Sequence, residues 1–286
     1  FNKDESISTK IESFLSDGVE VMFVRANVRL KLINILTQKI LHIMDENLGG
    51  ESDKQNVVEE GFEIVAYNIT ESEQVSHEMM EISKRCIKSV KKIIGDYPRL
   101  QKLLSSMVSN KSRYLYKHTI LSTYVSTHIV KNISWGSEGH LEKISYVLFF
   151  HDAFLVPIYN KYPHFMYEED LVFNEILSDR EKEIVLRHAR LAGEMIKTFP
   201  RAPLGSDVIA TQHHGLTGGD GFTMDFKDDV SPLAKVIIIS EAFVDEFLKA
   251  KDVREFQLKE CIKNLIEKFP RHTYKKIIQT LQDIKV

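Results

Sequence analysis

The sequence predicts a mainly α-helical protein with a smaller N-terminal domain of some α/β character. Three observations support this prediction. Apolar residues recur at intervals of three and four along most of the chain, which is typical of amphipathic helices. Apolar residues make up 43% and charged residues 28% of the 286 residues, which are ordinary values for a globular protein. Glycine and proline fall between these periodic segments, where they end helices or open loops.

The N-terminal part begins with a predicted strand and a predicted helix. Val19, Val21 and Phe23 are apolar residues separated by single positions, which indicates a strand. A helix is predicted over residues 30–44, where apolar residues return every three or four positions. Two glycines and a polar stretch then predict a loop over residues 48–54.

Two further elements precede a predicted domain boundary near residue 96. Residues 61–69 have partial strand character, and a helix is predicted over residues 73–94. The segment Gly95-Asp96-Tyr97-Pro98 ends this helix, because proline cannot continue the ladder of backbone hydrogen bonds. The chain is therefore predicted to divide into residues 1–95 and residues 96–286.

The second part is predicted to be almost wholly helical. Ser178 and Glu181 form a capping box, which opens the helix that carries His188. Residues 215–221 contain four glycines and predict a loop. The other helices are predicted over residues 115–130, 141–150, 208–213, 233–249 and 256–269.

Histidine is concentrated in the middle of the chain. Eight of the eleven histidines lie between residues 118 and 214, where an even distribution would place about four. Antiparallel helices joined by short loops bring residues at helix ends and helix faces into one bundle interior. The candidate ligands with this placement are, in chain order, His118, His151, Asp152, His188, His213, His214 and Glu241.

This ligand set favours a centre of two metal ions. Five histidines and two carboxylates are too many for one tetrahedral ion, but they suit two ions about 3.5–4 Å apart. A mixture of nitrogen and oxygen ligands favours iron, manganese or zinc over magnesium. Such a pair of ions lowers the pKa of a bridging water and holds a phosphate for in-line attack.

At His151-Asp152 the sequence resembles the HD superfamily of metal-dependent phosphohydrolases, and three later segments resemble its HD-GYP branch. Residues 177–188 are similar to the LTDEEWEIMKRH segment of that family, and residues 213–223 align without gaps on its HHERWDGSGYP segment. Residues 236–243 resemble its IVAVADVFDAL helix, which puts Glu241 at the position of a ligand aspartate. The resemblance covers about residues 105–250.

The resemblance implies a helical HD core that hydrolyses cyclic di-GMP, or a related cyclic dinucleotide, through a bridging hydroxide. It implies two divalent metal ions, iron in the first place and manganese in the second, held by the seven candidate ligands. His151 and Asp152 are also implied to be catalytic. An N-terminal domain that regulates or dimerises is implied, and with it a homodimer or a signalling-protein partner. The residues implied to contact the substrate are Gly218, Gly219, Gly221 and Phe222; the glycines are also compatible with a simple turn.

The sequence departs from the family pattern at several positions. Phe222 and Thr223 replace the tyrosine and proline of the GYP signature, and Leu155 replaces the lysine of the HDxGK motif. Tyr114 lies four residues before His118, where family members with three metals carry a glutamate. The tyrosine at position 114 favours two metals over three. The differences at Phe222 and Leu155 keep open a catalytically weak, metal-containing sensor or protein-interaction module, and an enzyme that acts on another nucleotide.

About seven extra residues lie between His151 and the capping box, compared with the family. They fall in a segment that contains Tyr159, Tyr162, His164 and Tyr167. Two interpretations are compatible with this insertion, namely a lid over the site and a surface loop.

Charge and cysteine content exclude several classes of function. The net charge of −3 gives no general attraction to DNA or to an anionic membrane surface. Two cysteines cannot form a disulfide framework, which favours a reducing compartment. No apolar run approaches the ~20 residues that a membrane span needs. We therefore expect a cytoplasmic protein that binds no DNA and has no membrane span.

Overall fold

The computed structural model describes residues 51–71, 75–110, 112–172, 174–250 and 256–286, together with scattered positions before residue 44. All regular secondary structure among these residues is helical. The prediction of a mainly α-helical protein is therefore confirmed.

The helices of the described residues are numbered here in chain order. They are α1 (Glu51–Glu71), α2 (His77–Asp96), α3 (Leu100–Ser109), α4 (Tyr114–Asn132), α5 (Glu138–Phe150), α6 (Val156–Lys161), α7 (Glu168–Val172), α8 (Asp179–Thr198), α9 (Ser206–Thr211), α10 (Pro232–Lys249), α11 (Leu258–Lys268) and α12 (His272–Gln279). Short 3-10 turns over Ala153–Leu155 and Thr280–Asp283 complete the pattern.

The predicted strand character of residues 61–69 is wrong, because these residues lie inside α1. Residues 51–54, predicted to be part of a loop, are the first turn of the same helix. The buried apolar residues of this helix follow helical spacing, at Val58, Phe62, Val65 and Ile69.

Gly61 lies in the middle of α1 and does not form a turn. A Cβ atom at this position would lie 2.5 Å from the Sγ atom of Cys86, which is buried in α2. Glycine is therefore required here because α1 and α2 approach each other closely.

The predictions for residues before 44, and the predicted boundary near residue 96, can be compared with the structure only in part. The predicted strand at residues 19–23 lies outside the described residues, whereas the described positions between residues 35 and 43 are helical. α1 packs against α2 and against the 3-10 turn that follows α5, and α2 also packs against α5. The division of the chain near residue 96 stays a prediction.

The helices between residues 114 and 249 position the candidate ligands. α4 packs along α10, where Ser126 donates a buried hydrogen bond of 2.7 Å to the Oγ atom of Ser240. α5 packs against α4 and α9, and α8 packs against α9 and the 3-10 turn after α5. The faces of α4, α5, α8 and α10 therefore converge around the end of α5.

The start of α8 is fixed by the predicted capping box. The Ser178 hydroxyl accepts a hydrogen bond from the backbone N–H of Glu181, and the Glu181 carboxylate accepts one from the Ser178 N–H at 2.8 Å. Because these bonds fix the residue at which the first turn begins, they also fix the face of α8 on which His188 lies.

Among the described residues, no helix combines the length and the apolar character needed to cross a membrane. This result agrees with the absence of a long apolar run in the sequence.

Candidate metal centre

Three buried histidines are oriented by the same type of local hydrogen bond. The Nδ1 atom of His151 donates to the carbonyl oxygen of Leu148 at 2.8 Å, and His188 and His213 make equivalent bonds to carbonyls three residues earlier, at 2.7 and 2.6 Å. A carbonyl can only accept, so Nδ1 carries the hydrogen in each ring. In the neutral form of each ring the lone pair therefore lies on Nε2, and this is the form that binds a metal.

The first group of potential ligands gathers around His188. Its members are Asp152, Glu168, His188, His213 and His214, each of which offers one ligand atom within 4.8 Å of the others. The Nε2 atoms of His188 and His213 are 3.3 Å apart, and that of His214 is 2.8 Å from His188. Burial, followed by the neighbouring His214, lowers the pKa of His188 to about 4. His188 is therefore neutral near pH 7, with its lone pair directed at another nitrogen.

The second group lies on the opposite side of Asp152. It consists of His118 from α4, His151 at the end of α5, and Glu241 from α10, and all three are buried. The Nε2 atom of His151 is 3.2 Å from a Glu241 carboxylate oxygen. The rings of His118 and His151 are stacked with their centroids 5.9 Å apart.

Asp152 connects the two groups through its two carboxylate oxygens. One oxygen, Oδ2, lies 3.1 Å from the Nε2 atom of His151 in the second group. The other, Oδ1, lies 3.5 Å from His188 and 3.7 Å from His213 in the first group. This is the position of a carboxylate that can bridge two metal ions.

Several atoms of the centre are buried without a hydrogen-bond partner, although buried polar groups in proteins nearly always have one. The atoms in question are Nδ1 of His118, Nε2 of His151, Oδ1 of Asp152 and Oε1 of Glu241. No lysine or arginine among the described residues forms an ion pair with a carboxylate of either group. The donor set and its unsatisfied atoms therefore fit metal ions.

The electrostatics of the centre agree with this interpretation. Burial lowers the pKa of His151, but the carboxylates of Asp152 and Glu241 outweigh burial and raise that pKa well above its ordinary value. Burial, followed by the charge of Asp152, raises the pKa of Glu168 to about 7. In the absence of a cation these groups take up protons, and a bound divalent cation would replace those protons.

Sequence reasoning missed Glu168. This residue begins α7 in the inserted segment, and its carboxylate lies 3.2 Å from the Nε2 atom of His214 and 3.6 Å from that of His188. The inserted segment therefore contributes a candidate ligand, which neither of the two interpretations of the insertion included. The available signal was the acidic run at residues 168–170, but such runs are usually solvated.

Asp245 was also missed. It follows Glu241 by four residues and thus lies on the same face of α10. Its carboxylate is 3.7 Å from the Nδ1 atom of His118. Burial raises the pKa of Asp245 to about 6, and His118 opposes this shift. The helical spacing from Glu241 was the signal that could have identified it.

The glycine-rich loop is attached to α8. Gly219 accepts a backbone hydrogen bond from Arg190, and Gly221 donates one to Leu186. Gly219 has φ of +71°, and a Cβ atom there would lie 2.7 Å from the Thr211 carbonyl oxygen. These contacts explain Gly219 without a ligand, and the predicted contact of Gly218, Gly219 and Gly221 with substrate stays a prediction.

Phe222 follows this loop and covers part of the first group. Its ring centroid lies 4.4 Å from that of His214 and 5.8 Å from that of His188, and its side chain is partly exposed. Leu155, at the position of the family lysine, is fully buried in the core. A lysine at this position would point into the core in this fold, away from solvent.

All seven residues predicted as metal ligands lie in the two groups. Other histidines lie outside them; His128, for example, has its Nε2 atom 2.8 Å from the Thr280 carbonyl oxygen. Comparisons with protein-family models, with curated proteins and with solved structures give no match to this chain.

Proposed function

We propose that this chain is a metal-dependent phosphodiesterase of the HD-GYP type, which hydrolyses cyclic di-GMP at a binuclear centre. One observation carries this proposal. Two groups of buried histidine and carboxylate ligands share Asp152, whose two oxygens face the two groups separately. A binuclear centre of this kind suits phosphodiester hydrolysis, because both the nucleophile and the leaving group carry negative charge that has to be stabilised.

The residues of the chain have distinct parts in this proposal. His188, His213 and His214, with Glu168, would hold one ion, and His118, His151 and Glu241 would hold the other, with Asp152 between them. Two bound divalent ions supply Lewis-acid activation of water and neutralise phosphate charge. Iron is the metal we propose first, and manganese second, because the ligands mix nitrogen and oxygen.

Phe222 would contact the substrate and would not bind a metal ion. Its partly exposed ring lies beside His214 and offers an aromatic face on which a guanine base can stack. Because a phenyl ring has no hydroxyl, it cannot donate a hydrogen bond to phosphate. We therefore propose that turnover is slower than in proteins with the complete GYP signature.

A second candidate function is favoured by Phe222 and Leu155. Phe222 lacks the signature hydroxyl, and the buried Leu155 offers no cation to a phosphate. These features favour a metal-containing cyclic-dinucleotide sensor, or a protein-interaction module, that retains the ligands but has lost catalysis. The ligand set favours the enzyme, because a sensor has no need of a bridging carboxylate.

The experiment that separates these functions uses purified protein loaded with iron(II) or manganese(II) under reducing conditions. Cyclic di-GMP is added, and the linear dinucleotide product is followed by chromatography, while binding is measured separately. We expect turnover by the parent and by His128→Ala, and none by Asp152→Ala. Binding without turnover under every metal would favour the sensor. Neither binding nor turnover would contradict both the enzyme and the cyclic-dinucleotide sensor, and would leave the protein-interaction module.

A further inference from the structure

Three tyrosines pack together beside the second ligand group. The ring of Tyr114 lies 5.4 Å from that of Tyr159 and 5.6 Å from that of Tyr167. The Tyr114 ring also lies 5.8 Å from the ring of the candidate ligand His118. Tyr114 comes from the first turn of α4, whereas Tyr159 and Tyr167 come from the segment after Asp152. The cluster therefore forms one wall of the centre.

One hydroxyl group in this wall has no partner of its own. The Tyr159 hydroxyl oxygen is buried and makes no hydrogen bond within the described part of the chain. A buried donor without an acceptor is unfavourable, so it points to an acceptor supplied from outside the chain. Tyr114 is partly exposed, and the pair thus extends from the surface towards the interior.

The carboxylates of the centre act electrostatically on both Tyr159 and Tyr114. Burial is the main reason why the pKa of Tyr159 lies well above its ordinary value, and the charges of Glu168 and Asp152 add to it. For Tyr114, burial is again the main cause of a raised pKa, followed by the charge of Asp245. The geometry agrees for Tyr114, because its ring lies 5.8 Å from that of His118, whose Nδ1 atom is 3.7 Å from the Asp245 carboxylate.

An anion at this wall needs donors that the carboxylates cannot provide. The cation seen at the wall is Lys249, which lies 4.9 Å above the Tyr167 ring and forms an ion pair of 3.0 Å with Glu169. Ionised carboxylates only accept hydrogen bonds, whereas a phenol donates one and remains neutral near pH 7.

From this arrangement we infer that Tyr114 and Tyr159 form a neutral donor subsite for a phosphate group at the second ligand group. The inference rests on the proposed metal centre, and it concerns how that centre would recognise an anion. The ligand class is a phosphate ester or inorganic phosphate, with its oxygens accepting from the two hydroxyls. The two tyrosines would then replace the cation that Leu155 does not provide.

The test measures binding of inorganic phosphate to the manganese-loaded protein by isothermal titration calorimetry, with the metal content determined on the same samples. Tyr159→Phe and Tyr114→Phe are each expected to weaken phosphate binding about tenfold, the effect of one hydrogen bond to a charged group. The metal content should be unchanged in both variants, because neither hydroxyl belongs to the ligand set.

Tyr146→Phe is the matched control. The hydroxyl of Tyr146 is likewise buried without a partner, but its ring packs against Phe150 at 5.0 Å and against Phe199, away from the ligand groups. This variant should bind phosphate within about twofold of the parent. If Tyr159→Phe does not fold, as judged by circular dichroism, Tyr114→Phe decides the result, because that residue is partly exposed.

Three outcomes would overturn the inference. They are phosphate binding by both variants at parental strength, loss of metal from either variant, and no phosphate binding by the metal-loaded parent. Failure of the proposed function gives a different result. In that case the parent binds phosphate with the expected dependence on both tyrosines, yet does not hydrolyse cyclic di-GMP.

Discussion

Two buried polar regions of this protein differ in how their polar atoms are satisfied. Gln55 in α1 accepts hydrogen bonds from Ser106 at 3.2 Å and from Asn110 at 2.6 Å, and it donates one to the Tyr97 hydroxyl at 3.1 Å. The Tyr97 hydroxyl in turn donates to Ser106 at 2.8 Å. Donors and acceptors pair within the protein, so this network is complete as it stands.

The candidate metal centre is the opposite case. The Nε2 atom of His151 faces the carboxylates of Asp152 and Glu241, and the Nε2 atom of His188 faces other histidine nitrogens. Ligand atoms of Asp152 and Glu241 are buried without hydrogen-bond partners. Both regions are buried and polar, and both join helices that are distant in sequence. The difference teaches that a candidate ligand site is recognised by several unpaired acceptors clustered together, whereas one unpaired hydroxyl such as that of Tyr146 is not enough. Polarity and burial alone do not separate it from a structural network.

The largest expected effect is on metal content. Asp152→Ala and His151→Ala should each abolish stoichiometric binding of at least one metal ion, with affinity lowered by more than about a hundredfold, because each removes a direct ligand. Mass spectrometry of metal per chain checks this. His128→Ala is the control, since His128 pairs with the Thr280 carbonyl outside the centre. Equal loss in all three variants, or loss in none, would contradict the assignment.

Glu168→Gln tests the ligand that sequence reasoning missed. We expect metal affinity of the first group to fall about ten- to a hundredfold, because an amide is a poorer ligand than a carboxylate. Titration with manganese, followed by electron paramagnetic resonance, measures the change. Glu169→Gln is the matched control, because its side chain is exposed and pairs with Lys249 at 3.0 Å. Similar affinities in the two variants would remove Glu168 from the centre.

A change in the hydrogen-bond network of Gln55 should lower stability without lowering metal content. Gln55→Ala leaves the Asn110 and Ser106 donors without their buried acceptor, which should lower the free energy of unfolding by about 1–3 kcal/mol. Metal content should stay at the parental value. Urea denaturation and metal analysis of the same preparation measure both quantities. Loss of metal without loss of stability would show that the two regions do not differ as described.

The pH dependence of metal binding sharpens the comparison further. Burial, followed by the charge of Asp152, raises the pKa of Glu168 to about 7, so a metal ion has to displace a proton from Glu168 below that pH. Metal affinity of the parent should therefore fall as the pH drops from 7 to 5. In Glu168→Gln, the logarithm of the metal affinity should also fall as the pH drops, but with a slope about one unit per pH unit smaller than in the parent. Equal slopes in the parent and in Glu168→Gln would contradict the displacement of a proton from Glu168 by the metal ion.

The smallest expected effect is a gain. Phe222→Tyr adds a hydroxyl to a ring 4.4 Å from His214, and it should improve binding or turnover of cyclic di-GMP by up to about tenfold. Phe226→Tyr is the control, because that ring packs on Phe269 at 4.6 Å. No difference between the two variants would indicate that the loop does not contact this substrate. Leu155→Lys is not a useful companion, because Leu155 is fully buried and a lysine there would destabilise the core.

Much of the fold could be predicted because helix formation is a local property. The capping box at Ser178 and the stop after residue 95 both act within one turn, and α8 and α2 begin or end where these signals lie. The prediction for residues 61–69 was wrong, although their buried apolar residues continue the helical spacing that begins at Val58. The role of Gly61 depends on Cys86, which belongs to another helix.

The sequence by itself indicated the long helices that carry the site and the identity of seven candidate ligands. Helical spacing is local, and so is the bond from Nδ1 to the carbonyl three residues earlier that orients His151, His188 and His213. Only the tertiary structure decided how these ligands divide into two groups around Asp152, and that Glu168 and Tyr159 join them. Those two residues come from a segment without a periodic pattern, whose path is set by its packing against α1, α4 and α8. Long-range packing of this kind leaves no signal in the spacing of residues along the chain.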